Sequence, residues 1–216
     1  MENTYSDEEA DDVGALLPNL KEVAIAKEKD PMMFVSGFDA DEDGIEPSKN
    51  TDDPGERLLQ ASEDGDMDLL HQLLGTDPGL VSYRDSDNYT ALHRACYEDN
   101  LDIARALLYR GAKVDVRSND GWTPLHSACH WNAHKCARML LENGADINAQ
   151  TDGGQTPLHL ACSKGGARET VIILLTEPGI QINVLNKANE TAYQVARRSG
   201  PLDDLFEIHR PSFSRI

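Results

Sequence analysis

The sequence predicts an all-α solenoid of short helical hairpins behind a disordered acidic leader, and three observations carry that prediction. First, the text Thr123-Pro124-Leu125-His126-Ser127-Ala128-Cys129 recurs upstream as Thr90-Ala91-Leu92-His93-Arg94-Ala95-Cys96 and, at the same interval downstream, as Thr156-Pro157-Leu158-His159-Leu160-Ala161-Cys162. A fixed period of about 33 residues marks a repeat architecture. Second, the apolar residues between copies fall at helical spacing rather than alternating. Third, residues 1–54 hold sixteen Asp or Glu against four Lys, a net of −12 within a chain total of −18. So acidic a segment, poor in aromatics, cannot bury enough apolar surface to fold alone.

Each repeat unit can be built from its residues. Thr123 caps a helix through its hydroxyl oxygen, and Pro124 occupies the first helical position, where its missing N–H costs nothing. Leu125 and Ala128 then share a face. A second helix is expected from about Ala133 to Glu142, with Ala137, Leu140 and Leu141 at helical spacing. Gly144 ends it where a positive φ is wanted. Two short helices cannot bury their faces alone, so neighbouring units must stack.

In chain order, the leader contains two apolar islands, Leu16–Ala26 and Met32-Met33-Phe34-Val35. The second island is either a docking motif or a patch that folds back. Ser36, with an acid three residues on, is a weak site for an acid-directed kinase. Asp39-x-Asp41-x-Asp43-Gly44 imitates a calcium loop but fails, because Asn50 stands where a bidentate Glu is required and Pro47 occupies the ninth position. Glu56–Asp85 is a worn first repeat, expected to cap the stack. In the second repeat Asn88 replaces Gly121 and tolerates the same left-handed turn. The fourth repeat carries two extra residues, placed at Glu177-Pro178-Gly179, and Gly165-Gly166 forms its helix–helix turn. The fifth, Asn189–Arg198, lacks the Pro and His and caps the stack, with Leu202, Leu205 and Phe206 closing the core. His209–Ile216 is expected to fray.

Thr-Pro-Leu-His-x-Ala followed by Leu140-Leu141-x-x-Gly144-Ala145-Asp146-Ile147-Asn148-Ala149 resembles the ankyrin repeat, over roughly Gly55 to Glu207. The resemblance implies about five repeats with β-turn fingers, the first and last as caps. The expected domains are a leader at 1–54, a repeat domain at 55–208 and a tail at 209–216. A narrower resemblance within the family rests on Asp120–Cys129, Trp131 and Leu205-Phe206-Glu207-Ile208. It implies a nuclear protein, with the cytoplasm as a second compartment, that acts on transcription through other proteins.

Charge excludes several classes of function. Outside the leader the net charge is only −6, and no basic footprint for nucleic acid or anionic membranes is present. No apolar run approaches the ~20 residues of a membrane span. The N-terminus lacks a basic-then-apolar signal pattern, so an intracellular, soluble monomer is expected. Cys96, Cys129, Cys162 and Cys136 form no C-x-x-C pair and read as buried thiols.

His93, His126 and His159, each three residues before a Cys, imitate a metal array. A tetrahedral site needs four ligands within ~2.3 Å of one metal, one repeat offers two, and helix axes lie about 8–10 Å apart. The histidines are therefore expected to bridge neighbouring turns, as the resemblance also implies, and neither metal nor cofactor is expected. No nucleophile elbow, phosphate loop or H-E-x-x-H motif occurs, so no catalytic residue is assigned.

What remains is a surface. Each repeat varies at the turn before its Thr and at the end of its first helix. These positions supply Tyr89, Tyr97 and Glu98 in the second repeat, Asn119, Trp122, His130 and Trp131 in the third, and Gln155 and Lys164 in the fourth. Clustered aromatics dominate interface hot spots, and this strip is expected to form a concave binding face for a protein partner, with a basic one suiting the acidic leader. The alternative is that Trp122 or Trp131 packs on the neighbouring turn and stiffens the stack. Runner-up functions are a substrate adaptor for a ubiquitin ligase and an assembly chaperone for a basic partner.

Overall fold

The computed structural model describes residues 52–164, 167–200 and 202–209, the last two through their backbone. The readings placed on the leader islands, Ser36, the 39–50 loop, Gly165-Gly166 and the tail beyond His209 lie outside these residues.

Among the described residues the chain forms nine α-helices: α1 Pro54–Asp64, α2 Met67–Thr76, α3 Ala91–Tyr97, α4 Leu101–Tyr109, α5 Pro124–His130, α6 His134–Glu142, α7 Pro157–Ser163, α8 Arg168–Thr176 and α9 Ala192–Ser199. Short 3₁₀ turns at Pro78–Ser82 and Asp203–His209 complete the set. The odd-numbered helices pack side by side as an inner row, α1 on α3, α3 on α5, α5 on α7 and α7 on α9. The even-numbered helices form an outer row, each also packed on its own inner partner. One apolar core runs from Leu58 to Phe206. The outer helices show why: in α6, Cys136, Ala137, Met139 and Leu140 are buried while Lys135, Arg138 and Glu142 face out.

The inner helices start as their sequence dictates. Thr90, Thr123, Thr156 and Thr191 each form a capping box with the residue three places on. In three of the four boxes that residue is histidine. Its Nδ1 accepts the Thr backbone N–H at 3.2, 3.1 and 3.2 Å, so the proton of the neutral ring sits on Nε2. From Nε2, His93 donates to the Trp122 carbonyl at 3.2 Å, and His126 to those of Ala149 and Gln155 at 3.1 Å. His159 donates to Glu190 at 3.1 Å. One ring thus closes its own cap and satisfies a buried carbonyl of the next repeat. Burial pushes the His93 and His126 pKa values down to about 4 and lowers that of His159. In the last box Gln194 closes the cap on Thr191 at 2.7 Å and has no following finger to reach among the described residues.

Between outer and inner helices the chain makes a finger-like turn. Asn88, Gly121, Gly154 and Asn189, each two residues before its Thr, have φ of 63°, 78°, 72° and 57°. Gly and, at some cost, Asn or Asp enter this left-handed region most readily. At Gly121 a side chain would also collide, since a Cβ would lie 3.0 Å from the Asp152 backbone nitrogen. The fingers are laced by one backbone bond per step: Asn119 to Asp87 at 2.9 Å, Asp152 to Asp120 at 2.9 Å and Lys187 to Gly153 at 3.0 Å. The two-residue insertion after α8 is stapled to the preceding repeat. Asn148 donates to the Gly179 carbonyl at 2.9 Å and accepts from the Gln181 N–H at 2.8 Å.

The N-terminal boundary differs from the expected one. Asp53 caps α1, accepting from Gly55 N–H at 2.8 Å, with Pro54 in the first turn. Both residues therefore belong to the repeat domain and not to the leader. The Tyr83 ring fills the space that a Cβ on Gly55 would need, and its hydroxyl donates to Asp53 at 3.2 Å and Glu56 at 3.0 Å. At the other end Leu202, Leu205 and Phe206 are buried and close the core. All four cysteines are buried free thiols, and burial pushes Cys162 up to about 12.

Candidate functional site

The side chains between the fingers and the C-terminal ends of the inner helices form two groups. The first is buried. Tyr89 and Trp122, 4% and 7% exposed, join Leu160 in a small apolar cluster beneath the fingers. The Tyr89 ring meets His93 edge-on at 5.2 Å and Trp122 lies 6.4 Å from His126. This corrects the expectation that both rings stand out as anchors. Tyr89 and Trp122, each directly before a capping Thr, lie against the histidines of their own repeats, and both histidines are buried. The Tyr89 phenol, raised to about 12 chiefly by burial, stays neutral.

The second group reaches solvent. Tyr97, His130 and Trp131 are half-buried at the ends of α3 and α5, while Glu98 and Lys164 are exposed. Their rings form a continuous run: Tyr97 on Trp131 at 4.6 Å, Trp131 on His130 at 4.9 Å, and His130 on Trp122 at 5.3 Å, each edge-on. Edge-to-face contacts of this kind hold rings in fixed positions. The Lys164 ammonium lies 3.6 Å from the Trp131 ring centroid, a cation–π contact. Burial first, then the Lys164 charge, lowers the His130 pKa to about 4, so its ring is neutral. Asn119 and Gln155 belong to the fingers instead. Asn119 donates to the Ser86 carbonyl at 3.1 Å and also bonds Asn88. The Gln155 N–H is held by Thr151 at 3.1 Å, and its carbonyl receives His126. The backbones of both are thus engaged in the stack, though Asn119 keeps an exposed side chain.

Carboxylates crowd both the N-terminal end of this surface, beside Glu98, and the row of fingers. Burial, then Glu63 and Asp64, raises the pKa of Glu98. Burial, then Asp152 and Asp87, raises that of Asp120. Sequence reasoning missed the Arg94 bridge, in which the guanidinium meets Asp85 at 3.0 Å and Glu63 at 3.3 Å, almost inside. Its signal was available: Arg94 stands where the following repeats carry Ser127 and Leu160, and Asp85 where they carry Ser118 and Thr151. Among the described residues, no group of three His, Cys, Asp or Glu is placed to hold a metal ion, and no helix is long and apolar enough to cross a membrane.

Stacked helical hairpins joined by laced fingers, with side chains that differ from repeat to repeat along one edge, define a solenoid interaction module. The chain belongs to the ankyrin-repeat family: a model of ankyrin repeats in three copies matches residues 58–151, and one of ankyrin repeats in many copies matches residues 140–196. Among curated proteins it is similar to ankyrin repeat domain-containing protein 49 of Drosophila melanogaster, 51% identical over 177 residues that cover 81% of this chain and 82% of the relative. The proteins of that name from Bos taurus and Homo sapiens are 51% and 49% identical over 164 residues, covering 76% of this chain and 69% of each relative. Members of this family are generally non-catalytic modules for binding other proteins.

Proposed function

We propose that the chain, as a monomer, recognises a partner protein on the concave side of its inner helices, around Tyr97, His130 and Trp131, and that the partner is basic where it meets repeats one to three. The observation that carries this reading is the solvent-reaching ring run from Tyr97 through Trp131 to His130, fixed by edge-on contacts and bordered by Glu63, Asp64 and Glu98. A preformed surface loses little entropy on binding, and half-buried aromatics are suited to be hot spots. The leader adds long-range attraction for a cation-rich partner, which weakens as salt rises. The setting we favour is the nucleus, with transcription regulated through the bound partner. The acidic, partly apolar leader is compatible with such a role, and the narrower resemblance implies it.

The test is affinity capture with the full chain against Tyr97→Ala/Trp131→Ala, with circular dichroism confirming that the variant stays folded. A stoichiometric partner that survives moderate salt and is lost from the variant supports the reading. An unchanged set of captured proteins overturns it.

A further inference from the structure

We infer that the surface has a built-in polarity and takes an extended peptide segment that carries a basic side chain at one end, an apolar or aromatic one in the middle and an acidic one at the other. The inference rests on the binding reading above and adds the order of charges.

The observation is a register. Glu98, Trp131 and Lys164 follow one another at the repeat period and are the C-cap residues of α3, α5 and α7, which pack side by side. One structural position therefore presents a carboxylate, an indole and an ammonium in three successive repeats. The neighbourhood reinforces the order. Glu63 and Asp64 lie beyond Glu98 on the N-terminal side and act on it electrostatically. The finger tips do not share this order: Asp87, Asp120 and Asp152 stand in the same three repeats as Glu98, Trp131 and Lys164, and Lys187 comes only in the fifth, so the order is set by the helix ends alone. Glu63 is already held by Arg94 at 3.3 Å, so a cation at the Glu98 end chiefly relieves the repulsion between Glu98 and Asp64, whereas an anion there adds to it. At the Lys164 end the preference is reversed. Trp131 lies between, one face engaged by Lys164, and the part of its ring that reaches solvent can meet an apolar side chain.

The geometry sets a spacing. Adjacent helices lie about 8–10 Å apart, and the Lys164 ammonium leans back over the Trp131 ring at 3.6 Å, so the negative and positive ends are separated by about one helix spacing rather than two. An extended chain rises about 3.3 Å per residue, which puts the basic and acidic side chains of the ligand about three residues apart.

The test is selection from a random peptide display library on the full chain, run in parallel on Glu98→Lys/Lys164→Glu, a variant of unchanged net charge with both substitutions at exposed positions. Wild type is expected to enrich peptides with a base and an acid about three residues apart flanking an apolar residue. The swapped variant is expected to bind those peptides about tenfold more weakly, as reversal of exposed charge pairs should cost. A photo-cross-linker beside the basic residue is expected to label repeats one and two. Enriched peptides that are uniformly basic, no enrichment at all, indifference to the swap, or labelling at both ends would each overturn the polarity. Peptides that Trp131→Ala still binds in full would instead overturn the binding reading beneath it. Matching thermal melts of wild type and variant exclude misfolding as the cause.

Discussion

Trp122 and Trp131 belong to one repeat and meet opposite fates. Trp122, at the base of a finger, is 7% exposed and shares a cluster with Tyr89 and Leu160. Trp131, at the end of α5, is half-buried among Tyr97, His130 and Lys164. The difference lies in what each position must do. A finger residue sits over the histidine that bonds the next repeat, so any large ring there is drawn into the stack. The helix-end position carries no bond that every repeat shares, and it varies freely as Glu98, Trp131 and Lys164. Burial and exposure of the variable side chains thus fall to different ends of the same short helix.

The largest effect that sharpens this contrast is Trp122→Ala. Its burial sets the loss at about 3–5 kcal/mol, read by urea unfolding. Trp131→Ala, partly exposed already, should lose less than about 1.5 kcal/mol. Equal losses would break the division between the two positions.

Acid is the next probe, and it titrates His130 of the ring run as well as the buried histidines. His93 and His126 are neutral in the fold, with pKa values of about 4, while the unfolded chain titrates near the ordinary value of about 6.5. Between these limits the unfolded chain binds more protons. Stability should therefore fall as the pH drops from about 6.5 towards 4, by up to about 1.4 kcal/mol per pH unit for each histidine. His126→Gln should make the slope shallower, and urea midpoints measured across that range check it.

Gly121→Ala is expected to cost about 1–3 kcal/mol, through its positive φ and the close Asp152 backbone. At Gly144, φ 84° but with open space around the position, the same change should cost nearer to about 1 kcal/mol. Thermal melts of the two variants compare a laced finger with an unlaced helix end.

The smallest change in stability is expected for Glu98→Lys/Lys164→Glu, within about 1 kcal/mol, the worth of the Lys164–Trp131 contact it removes, and equilibrium unfolding measures it.

The fold was open to reading because every repeat writes the same local chemistry. Thr caps, Pro in the first turn, His three residues after the cap and Gly or Asn at the left-handed finger residue are short-range rules, and the structure uses each where it falls. The cap of the first helix was not read from the sequence, because Asp53-Pro54 closes an acidic stretch. There an Asx cap followed by Pro looks like one more break in a disordered tail, and its partner, Tyr83, stands far along the chain, at the close of the first repeat. The site was harder. The repeat period shows that Trp122 and Trp131 are variable positions but not which way each ring leans, since that depends on contacts with the next repeat. Arg94 posed the same difficulty: its two carboxylate partners come from separate segments, and only the aligned repeats hint that it replaces Ser127 and Leu160.

The chain has two tryptophans, which makes the central contrast directly measurable. Trp122→Phe leaves Trp131 as the sole emitter, and Trp131→Phe leaves Trp122. Under acrylamide quenching, Trp131 should be several-fold more accessible than Trp122, and only Trp131 emission should move when a selected peptide binds. Equal shielding of the two rings, or a response from Trp122, would contradict the account.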